Sequence, residues 1–304
     1  MNERPDTAVV MPVSNPRAAL DDAWCRGWSV WMLLDHGCHP RALQQLYALE
    51  PDTEKTLFFL DSPLEYMHEL SPRFAVVARE AAMLGWIEDL DPQGWGMILV
   101  SEAPADEVLA HLRSLVLAKT EGKEVIFRVW DGRVLARICS AMPAEARHLL
   151  GPVRFILTRT NEQGWIRIER HEESTDVSTI ARPCPWYMFS ALHAELFRDA
   201  RAQVLARNIA VSMYSPDPAS SPPLPPGDES LLTFAVRHIE RGLALGLSRD
   251  QSLELFVRCC VLHGESFPDV VGTPVLKPFA ACPVNEDAAV AVMLKICAQG
   301  GCHG

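Results

Sequence analysis

The run WSVWMLLD, Trp28 to Asp35, limits what this chain can fold into more than any other stretch. A strand with one face in water alternates apolar and polar residues. One that stays apolar throughout is covered on both faces. Such a sheet needs helices to cover it, and the chain supplies them in alternation with further strand-like runs. PRALQQLYAL (40–49) carries Leu43, Leu46, Tyr47 and Leu49 as an apolar stripe. KTLFFL (55–60), RFAVVA (73–78), GWGMILVS (94–101) and KEVIFRVW (123–130) read as strands, with helices REAAMLGWIEDL and GRVLARICSAM between or after them. Between the last two strands, Val108, Leu109, Leu112, Leu115 and Val116 recur at helical spacing, with Ser101 as the expected N-cap, Glu102 at the positive helix end and Pro104 in the first turn. VRFILT and WIRIERHE close the region, the second alternating as a hairpin arm does. Strands separated by helices predict an α/β lobe with a largely parallel or mixed sheet flanked by helices.

The pattern changes near Trp186. From there Phe189, Leu192, Leu196, Ala200 and Val204 form one helical stripe, and an all-α lobe is expected to the C-terminus. YSPDPASSPPLPPG (214–227) interrupts it with six prolines in fourteen residues, the composition of an extended, semi-rigid linker. Asp228 is the expected cap of the next helix, Ser248 with Gln251 a capping box for another, and Asn285 the start of the last. The expected organisation is an N-terminal extension with a helix (1–26), an α/β domain (27–160), a hairpin and connector (161–185) and the helical lobe (186–304).

A net charge of -11 repels phosphate backbones and argues against nucleic acid as a partner. The first residues lack a basic head followed by an apolar core, and WSVWMLLD is far too short to span a bilayer, so a cytoplasmic protein without membrane association is expected. Nine cysteines at irregular spacing, none as C-x-x-C, fit a reducing compartment and suggest no zinc ribbon or redox motif. Cys259 and Cys260 fall in a helix and read as packing.

No nucleophile elbow, phosphate loop, dinucleotide fingerprint or H-E-x-x-H helix is present. DHGCH brings Asp35, His36, Cys38 and His39 together, all ligand types, but no second cluster has matching spacing, and a turn built on Asp35 and Gly37 accounts for it. No catalytic residue, metal or cofactor is therefore expected. An α/β hydrolase-like enzyme using Asp35, Cys38 and His39 is the alternative.

The remaining feature is VIFRVWDGRVL, Val125 to Leu135, where Arg128, Asp131 and Arg133 crowd a strand–helix junction. A carboxylate there suits the positive helix end, and flanking arginines can fork onto it. Here the chain resembles the type VI secretion effector adaptors, or effector chaperones, through the conserved domain of unknown function that marks them. The resemblance lies in an ordered set of patterns. WMLLDHG is similar to an opening strand ending Asp-Gly-Ala, with His36 inserted. SPRFAVV resembles a Gly-Pro strand start. WGMILVSEAPADEVLAHLRSL is similar to a Trp-led strand, a Ser-x-Ala-Pro turn and a His-Leu-Arg helix. VIFRVWDGRVL is similar to an Asp-Pro-Arg-Val-Leu block with Gly132 in place of proline, and LLGPV resembles a Gly-Pro ending. The resemblance implies a non-enzymatic adaptor that binds a secreted toxic effector and loads it onto the VgrG trimer or its PAAR cap. It marks Asp35, Gly37, Trp95, Arg128, Asp131, Arg133, Gly151 and Pro152 as the structural network of the motif. Trp186, Tyr187, Arg198 and Arg201 are candidate partner contacts. An immunity-type inhibitor of a toxin is a further alternative.

Overall fold

A computed structural model describes residues 9–35, 37, 39–89, 94–120, 122–160, 163–170, 182–213, 230–269, 277–279 and 285–300. The chain divides into two compact units, Met1–Leu196 and Phe197–Gly304. The Pro-rich segment, Asp228, His36 and Cys38 lie outside the described residues.

In the first unit, β1 (Val9–Pro12), α1 (Pro16–Cys25), β2 (Ser29–Leu34), α2 (Pro40–Leu49) and β3 (Lys55–Leu57) are followed by a 3-10 segment, Glu65–Leu70. Next come β4 (Arg73–Val76), α3 (Ala82–Asp89), β5 (Gly96–Ser101), α4 (Ala105–Arg113), β6 (Leu117–Thr120) and β7 (Lys123–Ile126). After these come α5 (Gly132–Ala141), α6 (Ala146–Leu150), the hairpin β8 (Phe155–Thr160) and β9 (Gly164–Glu169), and β10 (Tyr187–Met188). Seven strands form one sheet in the order β1-β9-β8-β5-β2-β4-β3, and every pairing in it is antiparallel.

The expected largely parallel or mixed sheet is thus overturned. The strand–helix–strand unit β4-α3-β5 does run its two strands in the same direction, but β2 is inserted between them and pairs antiparallel with both. An intervening helix reports that the chain crosses over, not which strand it lands beside. The apolar runs are nonetheless covered as expected. Every residue of β5 is buried, as are all of β2 after Ser29. Leu20 and Ala23 of α1, Ala42 and Leu46 of α2 and Leu84 and Ile87 of α3 join Val30, Met32, Leu34, Ile98, Val100 and Leu157 in one core layer, and α5 packs on β8 and β1.

KEVIFRVW does not supply a fifth strand to that sheet. Only Lys123–Ile126 is extended, and it pairs with β6 in a separate sheet of order β10-β6-β7. Phe127 and Trp130 leave the strand as buried anchors, 1% and 7% exposed. Leu115 and Val116 do not extend α4, which is capped at Ser114; they lead into β6. The expected cap Ser101 is displaced by Pro104, because the Ser101 hydroxyl donates to the Pro152 carbonyl at 2.6 Å and accepts from Ala103 N at 3.0 Å.

Helix α7 (Ala191–Met213) leads into the second unit, where α8 (Leu231–Ala244), α9 (Asp250–His263) and α10 (Glu286–Gly300) follow. Their core gathers Ile209, Phe234, Ile239, Phe256, Phe267 and Met293. The stripe expected on α7 is not its packed face: Leu192 and Val204 are 50% and 55% exposed, while Ala202, Leu205, Ala206, Ile209 and Met213 are buried. Apolar residues lie all round this helix, so periodicity alone does not choose a face. Ser230 caps α8 by accepting from Thr233 N at 3.1 Å. Arg249, not Ser248, occupies the cap position of α9. The Ser248 hydroxyl and amide both donate to Glu286 on α10 at 2.9 Å. Asn285 does accept from Ala288 N, at 3.1 Å.

Candidate functional site

Asp131 precedes α5 with extended backbone, and its Oδ1 accepts from Arg133 N at 3.1 Å, which satisfies one of the free donors of the first turn. Arg133 folds back onto the same carboxylate, Nε to Oδ1 at 2.9 Å and Nη2 to Oδ2 at 2.8 Å. This is the paired fork geometry that makes arginine–carboxylate contacts strong. Arg128, one turn upstream, donates from Nη2 to Asp35 Oδ2 at 2.6 Å and lies 3.9 Å from Asp131 Oδ2. Asp35 follows β2; its other oxygen accepts from Gly37 N at 3.0 Å, and its own amide donates to Trp95 O at 2.7 Å. Both carboxylates are nearly closed off from solvent, at 4% and 6% exposure.

The glycines at this junction are spaces that other groups fill. A Cβ on Gly94 would fall 2.2 Å from the Arg133 guanidinium carbon, and one on Gly132 would fall 2.5 Å from the Thr158 side chain. A proline at 132 would need that space too, which gives a packing reason for glycine there. Trp95 is 1% exposed, its ring 6.0 Å from that of Trp165. The junction thus clamps the end of β2, the start of β5 and the start of α5. The arginine and backbone donors on the two carboxylates hold this geometry.

Gly151 and Pro152 make a second clamp. Gly151 ends α6 at φ 53°, a left-handed conformation that glycine adopts at little cost, and a Cβ there would fall 2.4 Å from the His111 ring. His111 Nε2 donates to Leu149 O at 3.1 Å, and Arg170 Nη1 donates to Gly151 O at 2.9 Å. Burial pushes the His111 imidazole from 6.5 down to about 4. The unfolded chain therefore takes up a proton that the folded chain refuses between those values. Stability from this group is complete above pH 6.5 and is lost as pH falls towards 4, by about 3 kcal/mol. Denaturant titrations across that range are expected to show this slope in the native protein and a shallower one in His111→Gln. His148 and His193, lowered mainly by burial as well, would leave a remainder. An unchanged slope in the variant would remove His111 from this role.

The candidate partner contacts are dispersed. Tyr187 is 3% exposed and packs on Phe127, while Trp186 donates from Nε1 to Ser114 Oγ at 2.9 Å with Arg182 over its ring. Arg201 is committed to Asp250 at 2.6 Å and to the Ser248 carbonyl; Arg198 is exposed. Of the DHGCH residues, Asp35 is engaged by Arg128, and His39 stands edge-on to Trp86. Among the described residues no group of three or more His, Cys, Asp or Glu could hold a metal ion.

One polar chain has no counterpart among the motifs read from the sequence. Ser190 N donates to His193 Nδ1 at 3.1 Å, which fixes Nε2 as the protonated nitrogen of the neutral ring. Nε2 then donates to the Tyr187 oxygen at 2.9 Å, and the Tyr187 hydroxyl donates to Glu145 Oε2 at 3.0 Å. Burial, then Glu145, push the Tyr187 hydroxyl well above its ordinary range. The bond from Ser190 N to His193 is the return half of a capping box, with histidine in the place of glutamate, and SALH at 190–193 is the signal that could have shown it.

Residues 30–149 match the family model DUF4123, a domain of unknown function, and this family is known from type VI secretion effector adaptors. The match runs from β2 into α6, so it holds the ionic junction and leaves the helical unit outside. No curated protein and no solved structure matches the chain. Among the described residues no helix is long and apolar enough to cross a membrane.

Proposed function

We propose that this protein is a non-enzymatic adaptor of the type VI secretion system, which holds a toxic effector in the cytoplasm of the producing cell and delivers it to the VgrG spike or its PAAR cap. The observation that carries this reading is the DUF4123 match over residues 30–149. The ionic junction supports it, since Asp35 and Asp131 are committed to arginine and backbone donors and serve to hold the domain's shape. Recognition rather than chemistry is then the mechanism: a rigid sheet domain and a helical unit offer separate surfaces to effector and spike.

The full chain, used as bait in a lysate of a cell that assembles this secretion system, is expected to retain a toxin-like protein together with VgrG or PAAR. Deleting its gene is expected to stop release of that toxin while other spike-dependent cargo is still released. A folded bait that retains neither class of protein would overturn the reading. Protection of a recipient cell with no effect on export would replace it with toxin inhibition.

A further inference from the structure

The second unit contains two thiols in contact. Cys259 on α9 and Cys297 on α10 place their sulfurs 3.7 Å apart, a non-bonded contact between neighbouring helices. We propose that this pair is a peroxide-sensitive dithiol that closes to a disulfide and ties the last helix to α9.

The two thiols are unequal in the way such a reaction needs. Cys259 is fully buried, and its sulfur also lies 3.8 Å from the Met293 carbonyl. Cys297 is only partly buried, so an oxidant can reach it. The two sulfurs share a hydrogen bond that favours the thiolate on Cys297 when the proton sits on Cys259, and the positive charge of Arg258 adds to this. The Cys297 thiol is thereby lowered and the Cys259 thiol raised. Cys139 and Cys260 sit in apolar surroundings that push both up to about 12. Cys297 is the reactive member, because the thiolate is the nucleophile.

The Cys297 thiolate attacks one oxygen of hydrogen peroxide. The O–O bond breaks, hydroxide leaves, and Cys297 becomes a sulfenic acid. Cys259 then gives up its proton to the hydroxide and attacks the Cys297 sulfur. The S–S bond forms, the S–O bond breaks, and the departing oxygen leaves as water once protonated. Two thiols lose two electrons and two protons, and one peroxide becomes two waters. Disulfides of this transient kind are those found in otherwise reducing compartments.

The test uses the full chain. After treatment with hydrogen peroxide and blocking of the remaining thiols, the protein is digested and its linked peptides are sequenced by mass spectrometry. Fragmentation must locate the bond, since Cys260 adjoins Cys259 and Cys302 lies close to Cys297 in sequence. A Cys259–Cys297 linkage, reversed by dithiothreitol, is expected, and Cys260→Ser is expected to retain it. Closing this loop is expected to raise the Tm of the oxidised protein by several degrees, roughly 5 °C. In the untreated native protein, alkylation near neutral pH is expected to modify Cys297 at least about tenfold faster than Cys260. A bond mapping to Cys260 or Cys302, or equal alkylation of Cys297 and Cys260, would overturn the proposal. So would sulfenic or sulfinic products at Cys297 with no bond to Cys259.

Discussion

Gly96→Ala is expected to leave the first unit unfolded. Gly96 opens β5 at φ 137°, and a Cβ there would lie 2.0 Å from the Leu33 carbonyl oxygen of β2. That oxygen belongs to a strand with neighbours on both sides, so neither partner can yield without breaking the pairing Leu34 to Gly96 that starts the ladder. The backbone strain alone costs about 1–3 kcal/mol, and the overlap with main chain takes the total beyond about 4 kcal/mol, close to the stability of an ordinary domain. Gly27→Ala is the control. Gly27 also has a positive φ, 76°, but a Cβ there meets nothing within 4 Å, so only about 1–2 kcal/mol of strain is expected. Circular dichroism and soluble yield of the two variants, produced side by side, check this. A folded Gly96→Ala with native thermal stability would refute the close approach of β5 to β2.

Asp131→Ala is expected to lower stability by about 2–3 kcal/mol, a fall in Tm of roughly 5–10 °C. Two losses combine: the N-cap of α5 disappears, and the Arg133 fork loses the Asp131 carboxylate. The arginines limit the effect, because Arg128 keeps its bond to Asp35 and both Arg128 and Arg133, 45% and 35% exposed, stay partly solvated. Asp131→Asn keeps a cap acceptor without the charge, and is expected to recover about half of the loss. Scanning calorimetry measures both. The outcome that would sink the structural role is an Asp131→Ala protein with unchanged Tm that no longer captures its partner, which would make this junction a contact surface.

Much of this was legible in the residues. WSVWMLLD announced a strand covered on both faces, and β2 is one. WIRIERHE alternates, and β9 is a hairpin arm paired with β8. The crowding of Arg128, Asp131 and Arg133 at a helix start was read as a local network, and local cap and fork bonds do form there. The direct pairing of Arg128 with Asp35 was not legible from the residues themselves: the two are 93 residues apart, and only the family resemblance put both in one network. The edge strand β1 also went unread, since four residues gain strand character only by pairing with β9.

By itself, then, the sequence determined that β2 is covered on both faces, that β9 is a hairpin arm, and that helices start after Asp131 and Asn285. Each of these depends on a residue's own neighbours in the chain and on its contact with water. Tertiary structure alone decided that β2 lies between β4 and β5, which makes the whole seven-stranded sheet antiparallel, and that Cys259 touches Cys297. Hydrogen-bonding edges are chemically alike from strand to strand, so direction and neighbour are selected by how all the elements close around a common core.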